Sequence, residues 1–181
     1  MMEIRICKPP EIEEDVLDQI IDLILQGGQI KRSRSGIKEL MYLADYVAYK
    51  IYYNVVICTA TLKNQFPEYK EKVFNLANGP SPNSYQKELG FIVTHPDFEN
   101  QGHCKELLGE FFKRISSNTI YATTRKASMK QILNKLGFRQ TGVVYNNDLS
   151  LLIYDQSFGL EMNNLASNIA QNSGFLQEIR F

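Results

Sequence analysis

Between Glu88 and Leu108 the sequence changes its apolar period across one short loop, and that change limits the folds open to the chain. Glu88-Leu-Gly-Phe-Ile-Val-Thr94 has the length and composition of a buried strand. His95 to Gln101 is polar and proline-marked, so the strand period stops there. After Gly102, residues Leu107, Leu108, Phe111, Phe112 and Ile115 return at helical spacing. A strand that passes through such a loop into a helix aims unpaired backbone N–H groups and the positive end of the helix dipole at one spot. That spot suits an anion, phosphate above all.

The flanking sequence alternates strands and helices. Ile4 and Ile6 predict a first strand ended by Pro9 and Pro10, and Ile12, Val16, Leu17, Ile20, Ile21 and Ile24 predict a helix from Glu11 to the pair Gly27 and Gly28. Lys31, Arg32, Arg34 and Lys38 surround a loop that enters a short helix ending near Leu43. The β-branched and aromatic residues from Tyr46 to Leu62, with Asn54 between them, predict a hairpin. PEYKEKVFNLA (67–77) reads as a few helical turns in a surface excursion. TIYATT is a strand, KASMKQILNKLGF a helix closed by Gly137, and RQTGVVY and LSLLIYD two strands joined by a turn. The expected class is a mixed α/β (α+β) domain over residues 1–156, with a mostly antiparallel sheet. A helical tail, 157–181, would rest its Phe158, Leu160, Leu165 and Ile169 on the domain or on a second subunit of a homodimer.

The central segment resembles the main motif of the GNAT superfamily of N-acetyltransferases: a strand, a proline shortly before an aromatic, then Gln/Arg-x-x-Gly-x-Gly/Ala opening a helix. Here Pro96 and Phe98 precede Glu99-Asn-Gln-Gly102-His-Cys104, with Glu99 in place of Gln or Arg and Cys104 in place of the small residue. ATTRKASMKQILNKLGFRQTGVVY resembles the following strand, helix and Gly-Phe end. The resemblance implies a GNAT-like acyl-CoA N-acyltransferase fold and direct transfer of acetyl from acetyl-CoA, as co-substrate, to a primary amine of a small molecule or protein. It also implies coenzyme contacts from Ile92, Val93 and Thr94 on the strand, from Gln101, Gly102, His103, Cys104 and Lys105 in the phosphate cradle, and from Ser128. Glu88 matches the general base of some members, the other reading being a solvated strand-end carboxylate. Leu133 occupies the place of the family's frequent acidic tyrosine, so the thiolate's proton would come from water or from Tyr121 or Tyr145, of which Tyr145 is the candidate carried forward. A non-catalytic acyl-CoA-binding or partner-binding module of the same fold is the rival reading.

Other residues bound these readings. Twenty basic residues offset twenty acidic ones, which disfavours nucleic acid as a general partner and a toxin-like action on aminoacyl-tRNA. No apolar run is long enough for a membrane span. Cys7, Cys58 and Cys104 lack metal or disulfide spacing, so no metal site is expected, and reduced thiols fit a cytoplasmic location. His95 and His103 are expected to serve the turn and the exposed start of the helix, and Cys104 to pack rather than form an acyl-cysteine. The basic residues from Lys31 to Lys38 would border the acceptor site in the resembling fold, where they would draw an acidic substrate or else remain solvated.

Overall fold

In the computed structural model, residues 2–27, 31–115 and 119–154 are described. They form a seven-stranded sheet and five helices. The strands are β1 (Met2–Cys7), β2 (Ala44–Tyr52), β3 (Val55–Asn64), β4 (Lys87–Thr94), β5 (Ile120–Thr124), β6 (Phe138–Tyr145) and β7 (Leu149–Tyr154), and the helices are α1 (Glu14–Gln26), α2 (Arg34–Tyr42), α3 (Pro67–Leu76), α4 (His103–Phe112) and α5 (Ala127–Lys135). The sheet order is β1-β2-β3-β4-β5-β7-β6. Only β4 and β5 pair in parallel, as expected of strands joined through a helix.

Alternation along the strands divides the interior between the two faces of the sheet. Val47 and Tyr49 of β2 pack under α1 and α2 with Ile20, Ile24, Leu40 and Phe91. Ala48, between them in sequence, belongs to the opposite face, where α4 and α5 contribute Leu107, Leu108, Phe111 and Leu133. A third cluster joins Val73, Phe74 and Ala77 of the α3 segment to Tyr121, Tyr145 and Leu151. The hairpin turn places Tyr53 and Asn54 at φ 46° and 65°, the left-handed pair that matches strand twist.

Four expectations are corrected. The first helix starts at Glu14, because the carboxylate of Glu11 instead accepts the Lys8 amide and closes a 3-10 turn. The α3 segment is no surface excursion, since Phe74 is fully buried and stacks near Tyr85 and Tyr121. Half of the basic stretch is helical: Ser33 caps α2, Arg34 binds Asp18 and Asp22, and Lys38 binds Glu14 on α1. Tyr145, on β6, packs in the third cluster with its hydroxyl buried and without a hydrogen-bond partner. The expected C-terminal tail lies outside the described residues.

Candidate active site

β4 and β5 are in register only at Lys87–Ile120 and Glu88–Tyr121. Beyond that point they part, and Leu89–Thr94 faces Ala122–Thr124 across a cleft of about 860 Å³. A register shift opposite Thr59 and Thr61 contributes to the opening, because β4 spends three steps from Gly90 to Val93 where β3 spends two. Phe91 and Ile92 therefore have no register partner on β3, and Phe91 takes φ 50°. Such a bulge releases backbone groups from the ladder next to a binding site.

The cradle at one end of the cleft is formed by sequence-local geometry. His95 accepts the Asp97 amide at Nδ1, Pro96–Phe98 makes a 3-10 turn, and Asn100 and Gly102 adopt φ 61° and 85°. The first α4 bond runs from the Glu106 amide to the Gly102 carbonyl, so the amides of residues 101–105 precede the helical ladder. A Cβ at Gly102 would meet nothing within 4 Å. A ligand atom thus has clear access to the backbone there. Lys105 and Lys126 also line the cleft, and Lys126 Nζ lies 3.9 Å from Glu99 Oε1, so the carboxylate that departs from the motif faces a cation.

At the other end lies a buried polar seam between the α1/α2 cluster and the α3 cluster. Glu88 is only 4% exposed and stands opposite Lys63 in the β3–β4 register. Its Oε2 receives Lys63 Nζ at 3.1 Å and Gln65 Nε2 at 2.7 Å, which leaves Oε1 as the oxygen able to take a proton. Lys63 Nζ also lies 3.8 Å from the Phe91 ring centroid, a cation–π contact that holds the ammonium in place. The reading of Glu88 as a solvated strand-end group therefore fails. A buried ion pair is itself weak evidence for stability, because desolvation offsets the attraction.

The cleft wall includes Glu88, Ile92, Val93, Thr94, Gly102, His103, Cys104, Lys105 and Ser128. Gln101 is outside it, its side chain donating to the Asp97 carbonyl and bracing the loop, while Asn100 lines the wall instead. Tyr145 is also outside it, and burial pushes its phenol up to about 12. Tyr69 of α3, missed in the sequence, lines the cleft with its hydroxyl raised by burial and then by Glu88. His103 is not at an exposed turn but only 8% exposed, with Nδ1 3.1 Å from Lys50 Nζ. Lysine can only donate, so the neutral ring carries its proton on Nε2 and has no lone pair to offer as a base.

Cys104 packs against the core beside Cys58. Hydrogen bonding to the Cys58 thiol, then burial, raises the Cys104 thiol well above the ordinary range, which leaves little thiolate. Intact-mass spectrometry after incubation with acetyl-CoA is accordingly expected to find no acetyl adduct on Cys104. A stoichiometric adduct there would refute the packing role. Among the described residues no group of metal-ligating side chains converges, and no helix is long and apolar enough to cross a membrane.

A scan against protein-family models finds no match, and a search of curated proteins finds none similar. Solved structures do match. An acyl-CoA N-acyltransferase from Pseudomonas aeruginosa superposes with a TM-score of 0.64 at 13% identity, covering 86% of this chain and 100% of its own. The fold is that of the GNAT acyltransferases. A GNAT-family acetyltransferase from Streptococcus agalactiae gives 0.60 at 18% identity over 86% of this chain and 96% of its own. The ribosomal-protein-S18-alanine N-acetyltransferase from Escherichia coli gives 0.60 at 12% identity over 85% and 93%. At such identities the GNAT likeness concerns architecture.

Proposed function

We propose that this chain is an N-acetyltransferase that moves the acetyl group of acetyl-CoA to a primary amine. The observation that carries the reading is a single cleft with an anion cradle at one end and a buried carboxylate at the other, joined by splayed strands. The residues present fit the coenzyme: the backbone at Gly102 is open to a phosphate, and Lys105 and Lys126 line the same cleft. Residues 101–105 would hold the pyrophosphate and Ile92 to Thr94 the pantetheine arm.

When bound, acetyl-CoA supplies the acetyl group as a thioester whose C–S bond breaks as the carbon–nitrogen bond to the acceptor forms. Glu88 Oε1 takes the proton that the amine nitrogen must lose, and Lys63 and Gln65 hold that carboxylate in place through Oε2. The backbone freed at the Phe91 bulge is placed to polarise the carbonyl. The departing thiolate takes its proton from water or from Tyr69, which lines the same cleft. Three cysteines without disulfides among the described residues agree with the proposed cytoplasmic location.

The cradle is tested with Gly102→Glu. A side chain there adopts left-handed backbone at a cost of about 1–2 kcal/mol and brings a carboxylate to the pyrophosphate. Isothermal titration is expected to find coenzyme A bound at least about tenfold more weakly, the factor that 1.4 kcal/mol gives. Unchanged affinity would remove the cradle from the reading. Wild-type coenzyme binding without turnover on any amine or protein would leave the non-catalytic module.

A further inference from the structure

The charges on the cleft wall say something about the acceptor. Among the described residues two acids line the cleft, Glu88 and Glu99, and each already faces a lysine, at 3.1 Å for Lys63 and 3.9 Å for Lys126. The basic residues of the second helix and its approach divide into two sets. Arg34 and Lys38 are bound to carboxylates of α1, whereas Lys31 and Arg32 line the cleft with no carboxylate partner among the described residues. Lys31 and Arg32 lie on the wall with Glu88, Gln65 and Tyr69.

The position of Arg32 relative to Glu88 can be traced through contacts. Its guanidinium carbon is 5.9 Å from the centroid of the Phe66 ring. The residue before Phe66 is Gln65, whose amide donates to Glu88 Oε2 at 2.7 Å. Two adjacent residues therefore span the distance from the guanidinium to the base. Tyr69 lines the same cleft as Glu88 and Arg32. A diamine or polyamine entering here would meet two unmatched cations beside a carboxylate that Lys63 has already matched. An acceptor with a negative group near its amine would instead pair that group with Arg32, whose fork suits a planar carboxylate. A cleft of about 860 Å³ leaves room for an acceptor the size of an amino acid beside the acylated arm of the coenzyme.

Resting on the acyl-transfer reading above, we infer that the acceptor is a small amino-carboxylic acid, its amine directed to Glu88 and its carboxylate held by Arg32 and Lys31. The reaction is unchanged: the amine nitrogen gains the acetyl carbon, loses one proton to Glu88, and the carboxylate takes no part in bond making. Arg32 is then a specificity residue, and its removal weakens acceptor binding more than it slows chemistry.

The test is thiol release from acetyl-CoA with paired acceptors that differ only by the carboxylate, glycine against methylamine and β-alanine against ethylamine, with spermidine, phosphoethanolamine and a lysine-rich peptide alongside. The two carboxylate-bearing members are expected to exceed their partners at least about tenfold in kcat/KM. With the best of them, Arg32→Gln is expected to raise KM at least about tenfold with a much smaller change in kcat, to shrink the preference between paired acceptors, and to leave coenzyme A affinity at the wild-type value. Arg32→Lys should recover part of the loss. Better turnover of methylamine, spermidine, phosphoethanolamine or the peptide, or a preference unmoved by Arg32→Gln, would overturn the inference and leave acyl transfer standing. No turnover of any acceptor by protein that binds coenzyme A would overturn both.

Discussion

Glu88→Gln is expected to lower kcat for acetyl transfer roughly 10²–10⁴-fold, the range that a positioned general base supplies, with coenzyme affinity unchanged. The glutamine keeps the size of the side chain and can still meet Gln65, but it has no basic oxygen for the amine proton. It also leaves the Lys63 ammonium buried without its counter-charge, and breaking such a pair costs about 3–5 kcal/mol. A melting curve must therefore accompany the rate. Glu88→Gln combined with Lys63→Met removes both charges and separates the two effects. A double variant that melts near the wild type yet stays inactive assigns the loss to the missing base. One that regains activity shows that the pair holds the fold together and that the proton leaves by another route.

Gly142→Ala is expected to lower stability by about 2–5 kcal/mol. Gly142 has φ 63°, and a Cβ there would stand 1.8 Å from the Ala77 carbonyl oxygen. The backbone must move away, breaking the 2.6 Å bond from the Val143 amide to that same oxygen, which belongs to a fully buried residue. Left-handed strain of about 1–2 kcal/mol adds to the roughly 1–3 kcal/mol of an unsatisfied buried acceptor. For a chain of this length the melting temperature should fall by roughly 4–20 °C. Because Ala77 closes α3, loosening it should also disturb Tyr69 and the acceptor end before the cradle. A melting curve that matches the wild type would mean that β6 and α3 do not dock through this contact.

These two residues differ in how far the sequence gave them away. Glu88 opens an apolar run before the motif loop, so its place at the start of β4 was readable. Gly142 is one glycine in a strand, and nothing local announces that the end of α3 lies against it. The same contrast runs through the site. The cradle was legible because its residues are consecutive: the proline turn, the left-handed Asn100 and Gly102, and the first amides of α4 are built by short-range geometry. The exception is Gln101, whose side chain braces the loop rather than lining the cleft. Tyr69 lines the cleft and Tyr145 does not, for a long-range reason. Alternation sets which face a strand residue occupies, but bulges in β4 and β6 shift that alternation, and the helix that carries Tyr69 reads as surface until Phe74 and Ala77 are seen packed against Tyr121, Tyr145 and Leu151.

The amino-acid order by itself determined the succession of strands and helices, the hairpin at Asn54 and the turn after Pro96 that leads into α4, since each depends on hydrogen bonds and periodicities within a few residues. Only the tertiary structure decided that Lys63, Gln65 and Tyr69 meet Glu88, that Lys31 and Arg32 look into the same cleft, and that His103 turns toward Lys50. Those meetings depend on strand register and on where β4 and β5 part, and register is fixed by the packing of both sheet faces together.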